Sequence, residues 1–372
     1  MTARLRRSAL HLGVFALAAL LLYLALRGVD FGEVAGALRA ADYRWLLPLG
    51  VVVMLSHWIR AWRWQALLEA LPPDAPGAAP PRVPVRTAFY SLMIGYMVNY
   101  AAPRVGEVVR TANLAAQERL SFSSVLGTVV VERMLDVVVL LLGLGSVFVL
   151  LLDQAAALED LFLAPLRDRL EALPLAALVA ATALGSSVVV FALRRALRRS
   201  DSRLRLLWNR RLRPLIASFR DGLATLWRAP RRGVLVFSTV AMWSCYLLMA
   251  YLPFVMLHMT DPYDLSLLDA WSVMLLGAVG VAIPSPGGVG SYHYLTIQSL
   301  VHLFGVAAAP AATYALLGHA AQMLLYLTGG ALCLVLQGSS LAAVRARAEA
   351  SQGHPNAPDA SSPAIHHDEP PR

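Results

Sequence analysis

Six apolar runs in the sequence are each about long enough to cross a lipid bilayer as a helix. A helix rises about 1.5 Å per residue, so roughly twenty apolar residues cross the hydrocarbon core. With 58% hydrophobic and 15% charged residues, the chain is also far more apolar than a soluble domain. The sequence therefore predicts an all-α polytopic membrane protein. The predicted spans are 8–26, 45–64, 125–152, 174–193, 233–258 and 311–337.

Two broken apolar segments, 88–110 and 270–294, lie at corresponding places in the two halves of the chain. An overlay that places Pro103 on Pro284 also aligns a glycine three residues later in each segment. Short segments interrupted by glycine and proline, at matching places in two halves, are typical of the binding sites of transporters. We interpret each segment as a re-entrant hairpin, which enters and leaves the membrane on the same side.

Loop charges predict the orientation of the spans, because basic loops stay in the cytoplasm. The 194–232 loop carries thirteen arginines, whereas the 153–172 and 259–269 loops are acidic. This pattern favours cytoplasmic termini and two hairpins inserted in opposite senses. The predicted fold has six spans plus two re-entrant hairpins, about eight hydrophobic helices, arranged as an inverted-topology repeat with halves of about 1–160 and 173–340.

The remaining composition points to one membrane domain, 1–347, followed by a disordered cytoplasmic tail, 348–372, rich in Pro, Ser and Ala. The net charge of +9 is concentrated in loops, which indicates orientation in the membrane rather than a nucleic-acid partner. Cys245 and Cys333 lie inside apolar runs and indicate neither a disulfide nor a metal site. We expect no cofactor.

Three charged residues follow the first break: Arg104, Glu107 and Arg110. A charge at membrane depth costs about 2.5–3.5 kcal/mol unless it is paired or hydrated. Two arginines around one carboxylate leave a positive surplus, which suits an anionic headgroup. We therefore predict substrate binding here, with a structural salt bridge in a cytoplasmic loop as the alternative.

Glu132, Arg133 and Asp136 interrupt the 125–152 run. Glu132 and Asp136 are four residues apart on one helical face and would repel each other unless an arginine faces them. The sequence offers Arg104 or Arg110 for this role. We predict that the three residues support the same cavity, and a purely structural network remains the alternative.

The second hairpin offers backbone rather than charge. Glycines in its break allow close backbone approach, and Ser291 can cap the following helix, whose free N–H groups and dipole attract anions. The predicted binding residues are Gly287, Gly288, Gly290, Ser291 and His293.

The aromatic and basic residues at the end of the second span follow a common pattern. Trp58, Trp62 and Trp64 alternate with Arg60 and Arg63. Aromatic residues with arginine at a membrane boundary are typical of an interfacial anchor. His319 is isolated in apolar sequence, so we interpret it as a helix residue packed in the interior. A role in lining a pathway is the alternative.

Three motifs together resemble the flippase-like family named for the lysylphosphatidylglycerol synthase transmembrane region, over roughly residues 8–337. The resemblance implies an inner-membrane protein that moves lipids or polyprenyl-linked precursors between leaflets, and it adds Asn99 to the site. Outside the membrane region no stretch could form an aminoacyl-transferase domain, so we do not expect lipid aminoacylation. The motifs are Asn99-x-x-x-Pro103-Arg104-x-Gly106-Glu107-x-x-Arg110, Glu132-Arg133-x-x-Asp136 and Pro284-x-Pro-Gly-Gly-x-Gly.

The sequence thus predicts a multi-pass inner-membrane translocase for an anionic phospholipid or polyprenyl-phosphate-linked lipid, and not an enzyme. No Walker motif is present, so transport would be passive or ion-coupled. One alternative is a membrane-embedded transferase, for which Glu107 and His293 form the candidate acid–base pair. The other is a non-transporting partner of lipid-synthesis enzymes, docked through the 194–232 loop. A homo-oligomer is also compatible with the sequence.

Overall fold

The computed structural model describes residues 3–71, 81–101, 105–150, 231–283, 285–340 and 342–344. Within these ranges the chain is helical and contains no β-strand, as predicted. Short 3₁₀ turns cover Tyr43–Trp45 and Pro286–Gly288. The α-helices are α1 Ala3–Leu26, α2 Phe31–Ala40, α3 Leu46–Leu68, α4 Val85–Ala101, α5 Val105–Glu118, α6 Phe122–Leu150, α7 Arg232–Met256, α8 Leu267–Ala282, α9 Ser291–Phe304 and α10 Ala308–Leu336.

Four stretches among the described residues are long and apolar enough to cross a membrane. They coincide with four of the predicted spans and confirm a polytopic all-α membrane protein. Phe15–Leu26 and α2 meet the same criterion only when they are taken together. They are bent by 81° relative to each other, as in a broken span or a re-entrant loop. The predicted span 174–193 lies outside the described residues, so the total of six stays a prediction. The four stretches are Tyr43–Leu68, α6, α7 and α10.

The first broken segment is a helical hairpin made of α4 and α5. These helices have 17 and 14 residues, each shorter than the roughly twenty that a complete span needs. Their closest approach is at Gly95 and Gly106, where a Cβ on Gly95 would lie 2.8 Å from the backbone oxygen of Gly106. Only glycine permits this separation, so both positions fix how the helices cross.

The second broken segment is a hairpin of the same kind, made of α8 and α9, with 16 and 14 residues. Ser266 and Asp269 form a capping box that starts α8. The helix ends before Ile283, which is extended, as expected for a residue that precedes a proline. A Cβ on Gly280 would lie 2.8 Å from the backbone oxygen of Ser291, so a glycine again allows the two helices to approach.

The two crossing points correspond to each other in sequence. Gly95 approaches a residue eleven positions later, and Gly280 does the same. An alignment that places Gly95 on Gly280 is therefore shifted by four residues from the one that places Pro103 on Pro284. Both prolines lie outside the described residues. The inverted repeat and the side from which each hairpin enters stay predictions.

Helix α10 connects the two hairpins, since it packs against α4 of the first and α9 of the second. Helix α3 packs against α4, α6 and α7, and α6 also contacts α5 and α8. Helices α3, α5 and α6 therefore meet beside the first hairpin, where most of the predicted charged residues lie.

Candidate functional site

A buried network of ion pairs joins helices α3, α5 and α6. Glu132, which is fully buried, is its centre. Its carboxylate accepts hydrogen bonds from Arg60 Nε at 2.7 Å, Arg63 Nη2 at 3.3 Å and Arg110 Nη2 at 2.9 Å. The seven members of this charge cluster are Arg60, Arg63, Glu107, Arg110, Glu132, Arg133 and Asp136.

The other two carboxylates extend the cluster in opposite directions. Asp136 accepts from Arg60 Nη2 at 2.9 Å and from Arg63 Nη2 at 2.6 Å, which ties α3 to α6. Glu107 accepts from Arg110 Nε at 2.6 Å and also pairs with Arg133. The predicted pairing of Glu107 with Arg110 is therefore present, and so is an arginine facing Glu132.

The cluster carries more positive than negative charge. It has four guanidinium groups and three carboxylates, which leaves one uncompensated positive charge among these described residues. Two buried donors, Arg63 Nε and Arg110 Nη1, also lack a hydrogen-bond partner within the part of the chain that the structure describes. Arg133 is the accessible member, with 43% of its side chain exposed.

Aromatic and hydroxyl groups complete the surroundings of the arginines. The guanidinium of Arg110 lies over the ring of Trp64, 4.8 Å from its centroid, which is a favourable cation–π distance. Trp64 Nε1 donates to Thr128 Oγ1 at 2.9 Å. Arg60 also reaches the hydroxyl of Tyr246 at 3.4 Å.

The residues predicted in the second hairpin lie around its tip. Gly287, Gly288 and Gly290 have φ values of 57°, 82° and 86°. Ser291 shares a hydroxyl–hydroxyl hydrogen bond of 2.8 Å with Ser285, which lies in the break. The prediction that Ser291 caps α9 is wrong, since Gly290 occupies the N-cap position. The Ser291 hydroxyl bonds Ser285 and the backbone oxygen of Gly288 and so stabilises the turn.

The first hairpin contacts the tip of the second through α4. A Cβ built on Gly287 would lie 2.6 Å from the ring of Tyr100, so this tyrosine covers the tip of the second hairpin. Tyr100 is near the C-terminal end of α4. The C-terminal end of α4 therefore lies beside the turn of the second hairpin, as expected if both hairpins border one site.

The sequence profile described as "Lysylphosphatidylglycerol synthase TM region" matches residues 11–330. The chain belongs to this family. The match covers the membrane region and gives the protein a role related to membrane lipids. Neither the curated proteins nor the solved structures contain a match to the chain.

In this member of the lysylphosphatidylglycerol synthase transmembrane family, Asn99 holds the first hairpin together. Its Oδ1 accepts a hydrogen bond from the backbone N–H of Gly106 at 2.8 Å, at the start of α5. This contact satisfies one of the free N–H groups that a helix leaves at its N-terminus. Arg104, the other motif residue next to the break, lies outside the described residues.

The prediction that Arg60 and Arg63 belong to an interfacial anchor is wrong. Both side chains are buried, because they pair with Glu132 and Asp136 of α6 and thereby satisfy charges that would be unstable alone. Their spacing offers a signal: His57, Arg60 and Trp64 follow one another at three and four residues and so share a helical face. All three are buried.

Proposed function

We propose that this protein moves an anionic lipid, a phospholipid or a polyprenyl-phosphate-linked precursor, between the leaflets of the bacterial inner membrane. The observation that carries the proposal is the positive surplus of the charge cluster. Charged side chains within a membrane are costly, and they commonly line a substrate or ion pathway. A cluster with one more guanidinium than carboxylates is suited to a single anionic group.

The cluster offers such a group specific contacts. Arg133 is partly exposed and pairs with Glu107, so it can turn toward a ligand while Glu107 keeps Arg110 as its partner. The unpartnered Nη1 of Arg110 supplies a further buried donor. Guanidinium groups bind phosphate oxygens with strong, charge-assisted hydrogen bonds. A phosphodiester headgroup would therefore neutralise the surplus and satisfy this donor.

An apolar groove along the part of α3 that precedes Arg60 favours a lipid over a soluble anion. It has a volume of about 650 Å³, and α3 runs from the groove to Arg60. The thirteen residues from Leu46 to Trp58 span about 18 Å along the helix, close to the ~15 Å depth of one leaflet's hydrocarbon. An acyl or prenyl chain fits this groove. Its lining includes Leu46, Gly50, Met54, Trp58, Phe89 and Leu325.

Transport explains the site better than chemistry on a lipid phosphate. A transferase would need a free general base or nucleophile. Glu107 is held by Arg110 and Arg133. His293, which belongs to the other hairpin, lies against His319 of α10. Each member of the acid–base pair considered from the sequence thus has a different partner, and the proposed protein is a carrier rather than an enzyme.

Arg133→Gln is expected to slow lipid exchange at least tenfold while the protein stays folded. A charged hydrogen bond contributes about 1.5–3 kcal/mol, whereas a half-exposed ion pair adds at most about 1 kcal/mol to stability. The measurement is exchange of fluorescent phosphatidylglycerol between leaflets of phosphatidylcholine vesicles, together with thermal unfolding in detergent.

Arg44→Gln is the matched control, since Arg44 is a largely exposed arginine paired with Asp42, away from the cluster. It removes the same charge and should exchange lipid like the unmodified protein. Equal exchange by the two variants would argue against headgroup binding at Arg133. Absence of exchange in the unmodified protein would reject the proposed function itself.

The proposed orientation places both termini in the cytoplasm and can be tested with single cysteines at Ala78, Ala157 and Ala224. Only the cysteine at position 157 should react with an impermeant thiol reagent in intact cells, because the neighbouring loop is acidic whereas the other two positions lie in or near basic loops. Labelling of all three after permeabilisation is the control. External labelling at position 224 would contradict the proposed orientation.

A further inference from the structure

Two histidines from different helices meet where the hairpins approach each other. The ring centroids of His293 on α9 and His319 on α10 are 4.8 Å apart. Both side chains are more than nine-tenths buried, with 4% and 8% of their surface exposed. The rings of Tyr292 and Tyr100 lie 5.4 Å and 6.2 Å from His319. The pair therefore belongs to the contact between the hairpins.

One buried nitrogen of the pair has no hydrogen-bond partner among the described residues. It is Nε2 of His319, whereas Nδ1 of His293 accepts from the backbone N–H of Gly290 at 3.4 Å. The contact with Gly290 leaves the proton of neutral His293 on its Nε2. Buried polar atoms in native proteins almost always have a partner, so the orphan atom points to a ligand that comes and goes.

The surroundings of the pair fit a single proton that is held weakly and released readily, because burial without a counter-ion disfavours a charged imidazole. The titratable groups that face it are Tyr100 from α4 and Tyr292 from α9, and the ring of His319 also lies over Gly288 of the hairpin tip. No carboxylate or guanidinium among the described residues forms a hydrogen bond or ion pair with either imidazole. Two adjacent imidazoles without a counter-ion repel when both are charged, so they titrate as one unit.

A continuous series of rings connects this pair with the charge cluster. Tyr100 lies 6.1 Å from Tyr326, which stacks on Tyr96 at 5.0 Å, and the guanidinium of Arg60 is 6.0 Å from the ring of Tyr96. The proposed headgroup site and the histidine pair are thus in contact through side chains of α4 and α10. These packed side chains are the route through which a change at one site would reach the other.

We propose that His293 and His319 form a proton-binding site, which takes up one proton for each anionic lipid that is moved. The inference rests on the proposed transport function and names its coupling ion. A proton carried with a singly charged headgroup makes the step electroneutral, so the membrane potential no longer opposes it. The pH gradient then drives the lipid. Histidine suits this role because its ordinary pKa lies near physiological pH.

The test uses phosphatidylcholine vesicles with fluorescent phosphatidylglycerol, a pH gradient, and the membrane potential clamped at zero. At equilibrium, one coupled proton per lipid shifts the ratio of label between the leaflets about tenfold for each pH unit. His319→Gln should still exchange lipid but should lose this shift, since glutamine keeps hydrogen-bonding groups without titrating. His302→Gln is the control, because His302 is exposed on α9 and bonds Gln298.

Several outcomes would overturn the assignment. Exchange that ignores the pH gradient in the unmodified protein would reject proton coupling and leave transport intact. Loss of the shift in His302→Gln as well would reject the pair as its source. Nitrogen-15 NMR of the labelled histidines tests proton binding without transport: we expect His293 and His319 together to take up one proton as the pH falls from about 8 to about 4. Rings that stay neutral across this range would contradict the proposal even where exchange itself is absent.

Discussion

Glu132→Gln is expected to lower the free energy of unfolding by about 3–5 kcal/mol, the usual cost of removing one partner from a buried ion pair. Glutamine nearly preserves the volume, but its neutral carbonyl cannot compensate Arg60, Arg63 and Arg110, which all donate to Glu132. We expect most of the protein to aggregate or to unfold at a much lower temperature. The measurement is thermal and denaturant unfolding in detergent.

Asp136→Asn is the matched control for this change. Asp136 is partly exposed, at 18%, and the two arginines that donate hydrogen bonds to it both retain Glu132. Asp136→Asn should therefore lower the free energy of unfolding by less than Glu132→Gln does. Adding Arg63→Met to Glu132→Gln removes one of the three arginines that Glu132 no longer compensates and should restore part of the stability, since residues in one network are coupled. Equal destabilisation by Glu132→Gln and Asp136→Asn would contradict the central position of Glu132.

The position of the hairpins was predictable because their signal is local. Proline and glycine interrupt apolar segments that are too short to span, and helices α4, α5, α8 and α9 are found there. Helix α2 also had a local signal, since Asp30 accepts from the N–H groups of Gly32 and Glu33 at its start. No helix was predicted for this segment, although Asp followed by Glu three residues later is typical of a helix start.

The members of the charge cluster were only partly predictable, because burial of a charge depends on partners far away in the chain. Arg60 and Glu132 are 72 residues apart, and an arginine beside tryptophans has the same local sequence at a membrane boundary as inside a protein. Asn99 shows the reverse case. A polar residue in a binding motif suggested a ligand contact, while its observed partner is the backbone of Gly106.

The last prediction compares two glycines at the tip of the second hairpin, Gly288 and Gly290. Their φ values, 82° and 86°, are nearly equal and disfavour any other residue by about 1–3 kcal/mol. Their surroundings differ. A Cβ on Gly288 would be 3.4 Å from a methyl of Val281, an ordinary contact, whereas one on Gly290 would overlap the backbone oxygen of Ala18 in α1.

Gly288→Ala should therefore cost only the backbone term, and Gly290→Ala should cost about 1–3 kcal/mol more, because the backbone of α1 must move. We expect Gly288→Ala to remain folded and to slow lipid exchange, since the added methyl stiffens the tip that contacts His319. Gly290→Ala should separate α1 from α9 and lose both stability and exchange. Thermal unfolding and leaflet exchange, measured on both variants, distinguish these effects. If the two variants were equally stable, the backbone conformation alone would determine the cost, and α1 would not be held by the hairpin tip.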